Sequence, residues 1–360
     1  MFRRVAALLG RNTPPIAAPA APDIAGGCDT GLDAYEAGRF DEAIESFSRC
    51  LERADLPARD RAQILALRGM ARFDSGSAAD AVADFTEAMR VDPAEPASYY
   101  GRSQAYQQLG EHERALADLN EVLRLEPESP VAYANRAVVY NYLQRSEEAF
   151  ADAEMSIRLD PGNAAAYCTR GRVFAEQGNF DDALDDFSTC IRLDPEAPLG
   201  YAGRGHAYFE LGRLKRARRD LDMAIELGHV TGQICYERAV CLANLGRYGE
   251  AIADSSRAIE LDPAQPEHFG HLAWMLATVR VAAMRDGPLA VDLAEKAVAL
   301  APEHPWMLNV LAAAYAEVGR FDDAVRIQQT VIELMRKQDV QVLGAEDRLA
   351  HYRRHKPWRG

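Results

Sequence analysis

The sequence predicts an all-α protein made of repeated helix-turn-helix copies, and three recurring columns of residues lead to that prediction. An acidic residue followed by proline recurs every 34 residues, an alanine recurs twelve residues before the proline, and a glycine recurs five residues before the alanine. Apolar residues between these columns follow the spacing of an amphipathic helix. Each copy is therefore expected to contain a first helix, a glycine turn and a second helix.

The acid–proline pairs mark the end of each second helix. Proline lacks a backbone N–H and clashes with the preceding turn, so it cannot continue that helix, but it is tolerated in the first turn of the next one. Between Asp194-Pro195 and Asp262-Pro263 one copy lacks the acid–proline pair, and His229 stands at its proline position. The pairs are Asp92-Pro93, Glu126-Pro127, Asp160-Pro161, Asp194-Pro195 and Asp262-Pro263.

Small residues mark where the two helices of a copy must approach closely. On the second helix the column reads Ala43, Ala81, Ala115, Ala149, Ala183, Ala217, Ala251, Ala290 and Ala324. On the first helix it reads Gly31, Gly69, Ser103, Ala137, Gly171, Gly205, Ala239, Ala273 and Ala312. The turn glycines suit a left-handed C-terminal cap, and they are Gly38, Gly76, Gly110, Gly178, Gly212, Gly246 and Gly319. The columns predict nine copies.

With runs such as Tyr133 to Tyr140, this pattern resembles that of tetratricopeptide repeats. The resemblance implies a right-handed superhelical solenoid of helix pairs with a concave groove lined by the first helices. Because no single copy can bury its apolar face alone, stacked neighbours would supply the stability. We expect copies near 24–57, 62–95, 96–129, 130–163, 164–197, 198–231, 232–265, 266–304 and 305–338. Residues 1–23 are expected to be a disordered leader rich in alanine and proline, and residues 339–360 a capping helix with a basic tail.

The C-terminal part resembles a narrower bacterial group within this family. The resemblance rests on Leu272 to Thr278, Arg285 to Gly287, Leu311 to Tyr315, Phe321 to Ala324, Arg348 to Tyr352 and Lys356 to Trp358. That group often has Cys-Pro-Asp after the Ala-Thr pair, whereas this chain has Val279-Arg280-Val281. The departure leaves the fold prediction unchanged.

Composition excludes several classes of function. The 360 residues include 55 acidic and 41 basic side chains, a net charge of −14, whereas a nucleic-acid or anionic-membrane binder needs a basic footprint. No apolar run approaches the ~20 residues of a membrane span. Length alone would suggest two or three domains, but the period predicts one elongated repeat domain.

Arginine precedes the small first-helix residue in six successive copies, and an aspartate follows sixteen residues later. Both are absent together from copies one, eight and nine, so we expect them to be in contact. The favoured interpretation is a structural ladder of ion pairs, since each arginine has its own aspartate; the alternative is a row of basic sites for an acidic peptide or phosphate. The pairs are Arg68 with Asp84, Arg102 with Asp118, Arg136 with Asp152, Arg170 with Asp186, Arg204 with Asp220, and Arg238 with Asp254.

The resemblance also implies which first-helix residues face the groove. Aromatic rings beside amides and a few charges are what a peptide groove needs, although some of these residues could instead pack between copies. The candidates are Tyr35, Met70, Phe73, Tyr100, Gln104, Gln107, Val138, Asn141, Tyr142, Arg172, His206, Phe209, Tyr236, Val240 and Trp274.

Some family members clamp the C-terminal carboxylate of chaperone tails with a set of lysine, asparagine and arginine side chains. Asn135 occupies one asparagine slot of that set, but Tyr100 and Gln104 stand where the preceding lysine and asparagine belong. The sequence therefore does not predict a receptor for chaperone tails.

Six cysteines leave two interpretations open. Cys28 and Cys50 occupy the same two repeat positions as Cys168 and Cys190, so each pair could form a disulfide in an oxidising compartment. Alternatively the cysteines are small apolar fillers, which is the favoured interpretation. The apolar run Val5 to Leu9 is short for a secretory signal, so a cytoplasmic location is slightly favoured and a periplasmic one is the alternative.

Phosphate loops, zinc motifs and nucleophile elbows are absent from the sequence, so no enzyme activity, metal or cofactor is expected. The leading hypothesis is a non-catalytic scaffold that binds a peptide or helix of another protein in its concave groove. The alternatives are an envelope-assembly protein with structural disulfides and a recognition subunit of an enzyme complex.

Overall fold

The computed structural model describes residues 28–338 and 341–359. The expected leader over residues 1–23 lies outside this part of the chain. Within the described ranges every regular element is helical: nineteen α-helices and one short 3₁₀ helix, Ala282–Met284, with no strand among them. The prediction of an all-α fold is confirmed.

The helices alternate between first and second members of a copy. The first helices are α1 (Asp29–Glu36), α3 (Ala58–Asp74), α5 (Pro96–Gln108), α7 (Pro130–Tyr142), α9 (Ala164–Glu176), α11 (Pro198–Glu210), α13 (Gly232–Asn244), α15 (Pro266–Thr278) and α17 (Pro305–Glu317). The second helices are α2 (Phe40–Leu51), α4 (Ala78–Val91), α6 (His112–Leu125), α8 (Ser146–Leu159), α10 (Phe180–Leu193), α12 (Leu214–Glu226), α14 (Tyr248–Leu261), α16 (Gly287–Leu300) and α18 (Phe321–Lys337). A last helix, α19 (Leu343–Arg353), follows.

Over the described residues the chain divides into two compact units, an N-terminal unit that ends at Gly203 and a C-terminal unit that begins at Arg204. In each unit a first helix packs on its own second helix, and second helices pack on the following copy, as α3 does on α4 and α4 on α5. The core is consequently distributed along the helix pairs, which is the arrangement that repeat proteins use.

Eight of the nine turns between paired helices contain a left-handed residue. At Gly38 the φ angle is +73°, Gly38 N–H donates to Tyr35 O at 2.9 Å, and Arg39 N–H donates to Ala34 O at 2.9 Å. This is the hydrogen-bond pattern of a glycine C-terminal cap. In copy four Gln144 takes the same place with φ +58°, although only glycine adopts this conformation without steric cost.

In the N-terminal unit, phenylalanine side chains on second helices fill the space that first-helix glycines leave. Phe85 is 1% exposed and lies between Gly69 of its own copy and Gly101 of the next. A Cβ atom at Gly101 would lie 2.5 Å from Phe85 Cζ. Phe187 lies in the same way against Gly171 and Gly203. Glycine is therefore required on a first helix where the facing second helix carries a large ring.

In the C-terminal unit the residues after α18 close over the last helix pairs. Helix α19 packs against α18, and its Tyr352 is fully buried. Beyond it, Arg359 Nη1 donates to Ala277 O at 3.1 Å and lies 2.6 Å from Glu317 Oε2. Arg285 Nε lies 2.9 Å from the other oxygen of Glu317. Helix α19 thus packs on α18, and Arg359 in the tail contacts α15 and α17.

Candidate peptide-binding surface

The six arginine–aspartate pairs of the sequence lie within hydrogen-bonding distance. In each pair the arginine Nε donates to Oδ2 and Nη2 donates to Oδ1, at distances between 2.6 and 3.0 Å. The aspartate side chains are only 5–12% exposed. These two parallel, charge-assisted hydrogen bonds use both oxygens of the carboxylate and two of the three nitrogens of the guanidinium. This geometry favours the structural interpretation over a row of open anion sites.

A third contact of these arginines was not predicted. Nη1 of Arg102 donates to Thr86 Oγ1 at 2.9 Å, and Nη1 of Arg136 donates to Asn120 Oδ1 at 2.8 Å, so each guanidinium also holds the second helix of the preceding copy. The signal in the sequence was a polar residue two positions after each aspartate slot. In copy one, where arginine and aspartate are absent, Thr30 Oγ1 and Ser46 Oγ are 2.9 Å apart instead.

Three groove candidates lie in the interior rather than on an open surface. Tyr35, Tyr100 and Asn141 are 7%, 5% and 3% exposed. The Tyr35 hydroxyl donates to Asp74 Oδ2 at 2.7 Å, and the Tyr100 hydroxyl accepts from Asn135 Nδ2 at 2.7 Å. Burial raises the pKa of Tyr100. These side chains pack between copies, so the expectation that they face a ligand is corrected.

Tyr142 is the most exposed of the candidates, with 55% of its surface accessible. Its ring is parallel to that of His112, with centroids 4.7 Å apart, and the Arg172 guanidinium lies 5.5 Å from its centroid. With the Asn141 amide oxygen turned toward Arg172, both Nη2 and Nε of Arg172 donate to it at 2.8 Å. The stack therefore holds an exposed aromatic ring in one orientation.

The other candidates of the N-terminal unit, together with Arg172, also lie on first helices. They are half-buried, which leaves part of each side chain at the surface: Met70, Phe73, Gln104, Gln107, Val138 and Arg172. Apolar and amide side chains are thus both partly accessible on the first helices of this unit.

In the C-terminal unit, His206 forms a contact that the sequence did not suggest. Its Nδ1 lies 2.6 Å from Glu237 Oε1, and Gln233 Nε2 donates to the same oxygen at 2.7 Å. Glu237 is only 1% exposed, whereas the His206 side chain is 40% exposed. The hydrogen bond to Glu237 raises the pKa of His206 above its usual value, since a carboxylate stabilises the imidazolium form.

Aromatic rings also line the first helices of this unit. Tyr236 lies between His268 and His271, with ring centroids 5.5 and 5.7 Å away. Trp274 lies 5.0 Å from Trp306, a residue 38% exposed that was not among the candidates. Partial burial and the nearby Glu267 raise the pKa of Tyr236. Phe209 and Val240 are half-buried beside them on α11 and α13.

Four of the six cysteines form disulfides. Cys28 is bonded to Cys50 and Cys168 to Cys190, with Cα atoms 6.1 and 5.5 Å apart. Each bond joins the first helix of a copy, or the residue that caps it, to the second helix. Cys235 and Cys241 are free and buried, and burial raises the pKa of Cys241 to about 12, so its thiol stays protonated.

Membrane spans and metal centres are two other classes of site on which the described residues bear. None of their helices is both long and apolar enough to cross a membrane. No three histidine, cysteine or acidic side chains in that part of the chain gather as ligands of one metal ion.

The stacked helix pairs define the chain as a helical-repeat protein, and comparison with known proteins names the family. Tetratricopeptide repeats match residues 28–96, 66–130, 100–164, 205–266 and 306–337, and a TPR repeat matches 171–212. These matches cover more than half of the chain, so it belongs to the tetratricopeptide repeat family. No curated protein matches the chain.

Solved structures show the same fold at low sequence identity. A tetratricopeptide repeat protein of Parabacteroides merdae is 23% identical with a TM-score of 0.54, covering 68% of this chain and 95% of that one. The structure of the APC/C hetero-tetramer Cut9–Hcn1 is 16% identical with a TM-score of 0.56, and the match covers 89% of this chain and 74% of that one. The structure of Pseudomonas aeruginosa pilF is 16% identical with a TM-score of 0.51, and the match covers 59% of this chain and 97% of that one.

Proposed function

We propose that this protein is a non-catalytic scaffold that binds a peptide or a helix of a partner protein along its first helices. The observation that carries the proposal is Tyr142, a large ring that is 55% exposed yet held between His112 and Arg172. A rigid aromatic anchor loses little conformational entropy on binding, which is why such residues dominate protein interfaces.

Other first-helix residues of the N-terminal unit support this role. Gln104 and Gln107 offer amides that can pair with a peptide backbone, while Val138 and Met70 offer apolar contact. In the C-terminal unit the pair Trp274 and Trp306 provides a second aromatic surface on first helices. The N-terminal unit thus carries rings and amides, and the C-terminal unit rings, of the kind expected of a peptide-binding surface.

Crosslinking from a single position tests this proposal. We expect benzoylphenylalanine at position 142 to crosslink a partner protein in cells of the source organism. The matched control places it at Leu159, which is 38% exposed but lies at the end of a second helix. Equal capture from both positions would reject the first-helix surface. Tyr100, being buried, is unsuitable for this purpose.

We also propose that the protein works in an oxidising compartment outside the cytoplasm. Two disulfides at equivalent positions of two copies favour this location, because cytosolic reductants keep thiols reduced. The proposal replaces the slight preference for the cytoplasm drawn from the short apolar run near the N-terminus.

The mass of the protein purified with alkylating reagent tests this location. We expect only Cys235 and Cys241 to be alkylated after denaturation without reductant, and all six cysteines after reduction. Alkylation of all six without reductant would place the protein in a reducing compartment.

A further inference from the structure

The residues after α19 lie against the C-terminal unit as a short bound peptide would. We call the described residues 354–359 the tail. Helix α19 ends in a left-handed turn at His355, where φ is +55° and Lys356 N–H donates to His351 O at 3.1 Å. Beyond this turn, in the described part of the chain, no backbone hydrogen bond joins residues 357–359 to a helix. Their side chains therefore hold them in place.

One anchor of the tail is the ring of Trp358. It is half-buried and packs against the apolar core of the C-terminal unit. Its centroid lies 4.9 Å from that of His351 in an edge-to-face arrangement, and 5.8 Å from the guanidinium carbon of Arg348. Trp358 thus makes the kind of oriented aromatic contact that dominates protein interfaces.

The second anchor is Arg359, which joins the ends of two first helices. Its Nη1 donates to Ala277 O, in the last turn of α15, at 3.1 Å and lies 2.6 Å from Oε2 of Glu317, the last residue of α17. Ala277 and Arg359 are 82 residues apart in the sequence. The Glu317 side chain is 13% exposed and that of Arg359 is 32% exposed, so solvent still reaches the arginine.

The two helix ends attract cations for a physical reason. The C-terminal end of a helix carries a partial negative charge, and a carboxylate placed there adds to it. Arg285, which follows α15, supplies one positive charge: its Nε lies 2.9 Å from Glu317 Oε1, and its Nη1 donates to Val279 O at 3.1 Å. Glu317 keeps this partner whether or not the tail is in place. Its other oxygen and the Ala277 carbonyl can therefore accept a second cation from any segment that reaches them.

We propose that the ends of α15 and α17 form a binding site for a segment of a partner protein in which an aromatic residue precedes an arginine. The tail, in which Trp358 precedes Arg359, occupies this site and competes with the partner. A tethered segment has a high effective concentration, so the partner segment must outcompete it. The tail thereby closes the site to weak ligands.

This inference rests on the proposed function only in placing the ligand on first helices. The crosslink from position 142 reports on the N-terminal unit, whereas Glu317 and the tail belong to the C-terminal unit. Each proposal can therefore fail while the other stands.

Fluorescence anisotropy with a labelled peptide tests the proposal. The probe has the sequence of residues 354–359 and an amidated C-terminus, and a scrambled peptide of the same composition controls for general attraction to an acidic chain. We expect the full chain with Trp358→Ala and Arg359→Ala to bind the probe about ten-fold or more tightly than the wild type, whose own tail competes. The wild type should bind it weakly but measurably, and the scrambled peptide should bind neither protein as tightly as the probe binds the variant.

A second variant and a matched pair of substitutions refine the test. Arg359→Glu should also strengthen probe binding, because repulsion from Glu317 removes the tail; urea unfolding of both variants checks that they are folded. Adding Glu317→Gln to the double variant should weaken probe binding by about ten-fold, since the arginine loses its carboxylate. The control is Glu303→Gln, an exposed residue before the other end of α17, which should change the affinity less than about two-fold.

Several results would overturn the proposal. Equal affinity of the probe for the wild type and for both tail variants would show that the tail does not occupy a ligand site. No binding to the wild type at about 1 mM probe would make the tail a permanent cap. Equal losses in Glu317→Gln and Glu303→Gln would place the probe elsewhere. A wild-type dimer in sedimentation that Arg359→Glu dissociates would assign the site to the tail of a second copy.

Discussion

At the residue scale, the arginine ladder does more than the sequence indicated. The joint presence and absence of arginine and aspartate predicted contact within a copy. The link to the preceding copy was missed, because acceptors such as Thr86 and Asn120 differ in residue type and share only polarity. One guanidinium thus joins three helices, and the ladder couples neighbouring copies as well as the two helices of each copy.

A double-mutant cycle on Arg136 and Asp152 tests this ladder. We expect Arg136→Ala and Asp152→Ala to couple by more than ~1 kcal/mol, since removing one partner leaves a poorly solvated charge. Urea unfolding of the wild type, the two single variants and the double variant gives the coupling. Additive losses of stability would exclude the pairing as a stabilising contact.

Glycine substitutions test the close approach of helices. Gly101→Ala should cost ~1–3 kcal/mol, because the added Cβ would lie 2.5 Å from Phe85 Cζ. Gly249→Ala is the control, since its Cβ would meet no atom within 4 Å in helix α14. There alanine should stabilise by up to ~1 kcal/mol. Similar effects of the two substitutions on the thermal midpoint would contradict the packing described.

His206 should make stability depend on pH. Its pKa is raised in the folded state by the hydrogen bond to Glu237, so its contribution is complete below the unfolded pKa of about 6.5 and is lost as pH rises through the folded pKa. We expect the free energy of unfolding to fall more between about pH 6 and pH 9 in the wild type than in His206→Gln.

An NMR titration of the His206 ring checks the cause. Its pKa should lie above the usual value in the wild type and drop in Glu237→Gln. If the His206 ring has the same pKa in both proteins, Glu237 is not the cause of the raised pKa.

At the element scale, the helix pairs were predictable because proline, glycine and alanine act locally. The columns marked where helices end, turn and touch. Gln144 was an exception, since the pattern expects glycine at a left-handed turn, whereas glutamine adopts φ +58° there with its N–H donating to Asn141 O at 3.1 Å. The exposure of first-helix residues was less predictable. Tyr35 and Tyr100 are buried against the following copy, and their hydroxyls form hydrogen bonds with residues that lie 39 and 35 positions later in the sequence.

The disulfides should stabilise individual helix pairs. A bond between residues 22 apart, as in Cys168–Cys190, limits the unfolded chain and contributes ~3 kcal/mol in the chain-entropy description. We expect Cys168→Ser/Cys190→Ser to lower the urea midpoint of the oxidised protein. Adding reductant should lower the urea midpoint of the wild type. It should lower the urea midpoint of this variant by less, because only the Cys28–Cys50 bond remains to be reduced. An unchanged midpoint would show that the bond contributes no stability.

At the scale of the whole molecule, family membership could be predicted from period and columns alone. The proposed binding surface could be only partly predicted: Tyr142 was among the candidates, but its contact with His112 comes from a second helix 30 residues earlier, which no first-helix column reveals. Trp306 was missed because no groove candidate was drawn from the last copy.

The most direct test of the scaffold function is the affinity of the partner segment that position 142 crosslinks, measured by calorimetry with the purified chain. We predict that Tyr142→Ala weakens binding by about ten-fold or more, as loss of an aromatic anchor does, while Leu159→Ser leaves the dissociation constant unchanged. Unaltered affinity in Tyr142→Ala, with wild-type stability, would contradict the assignment of this first-helix surface as the binding site.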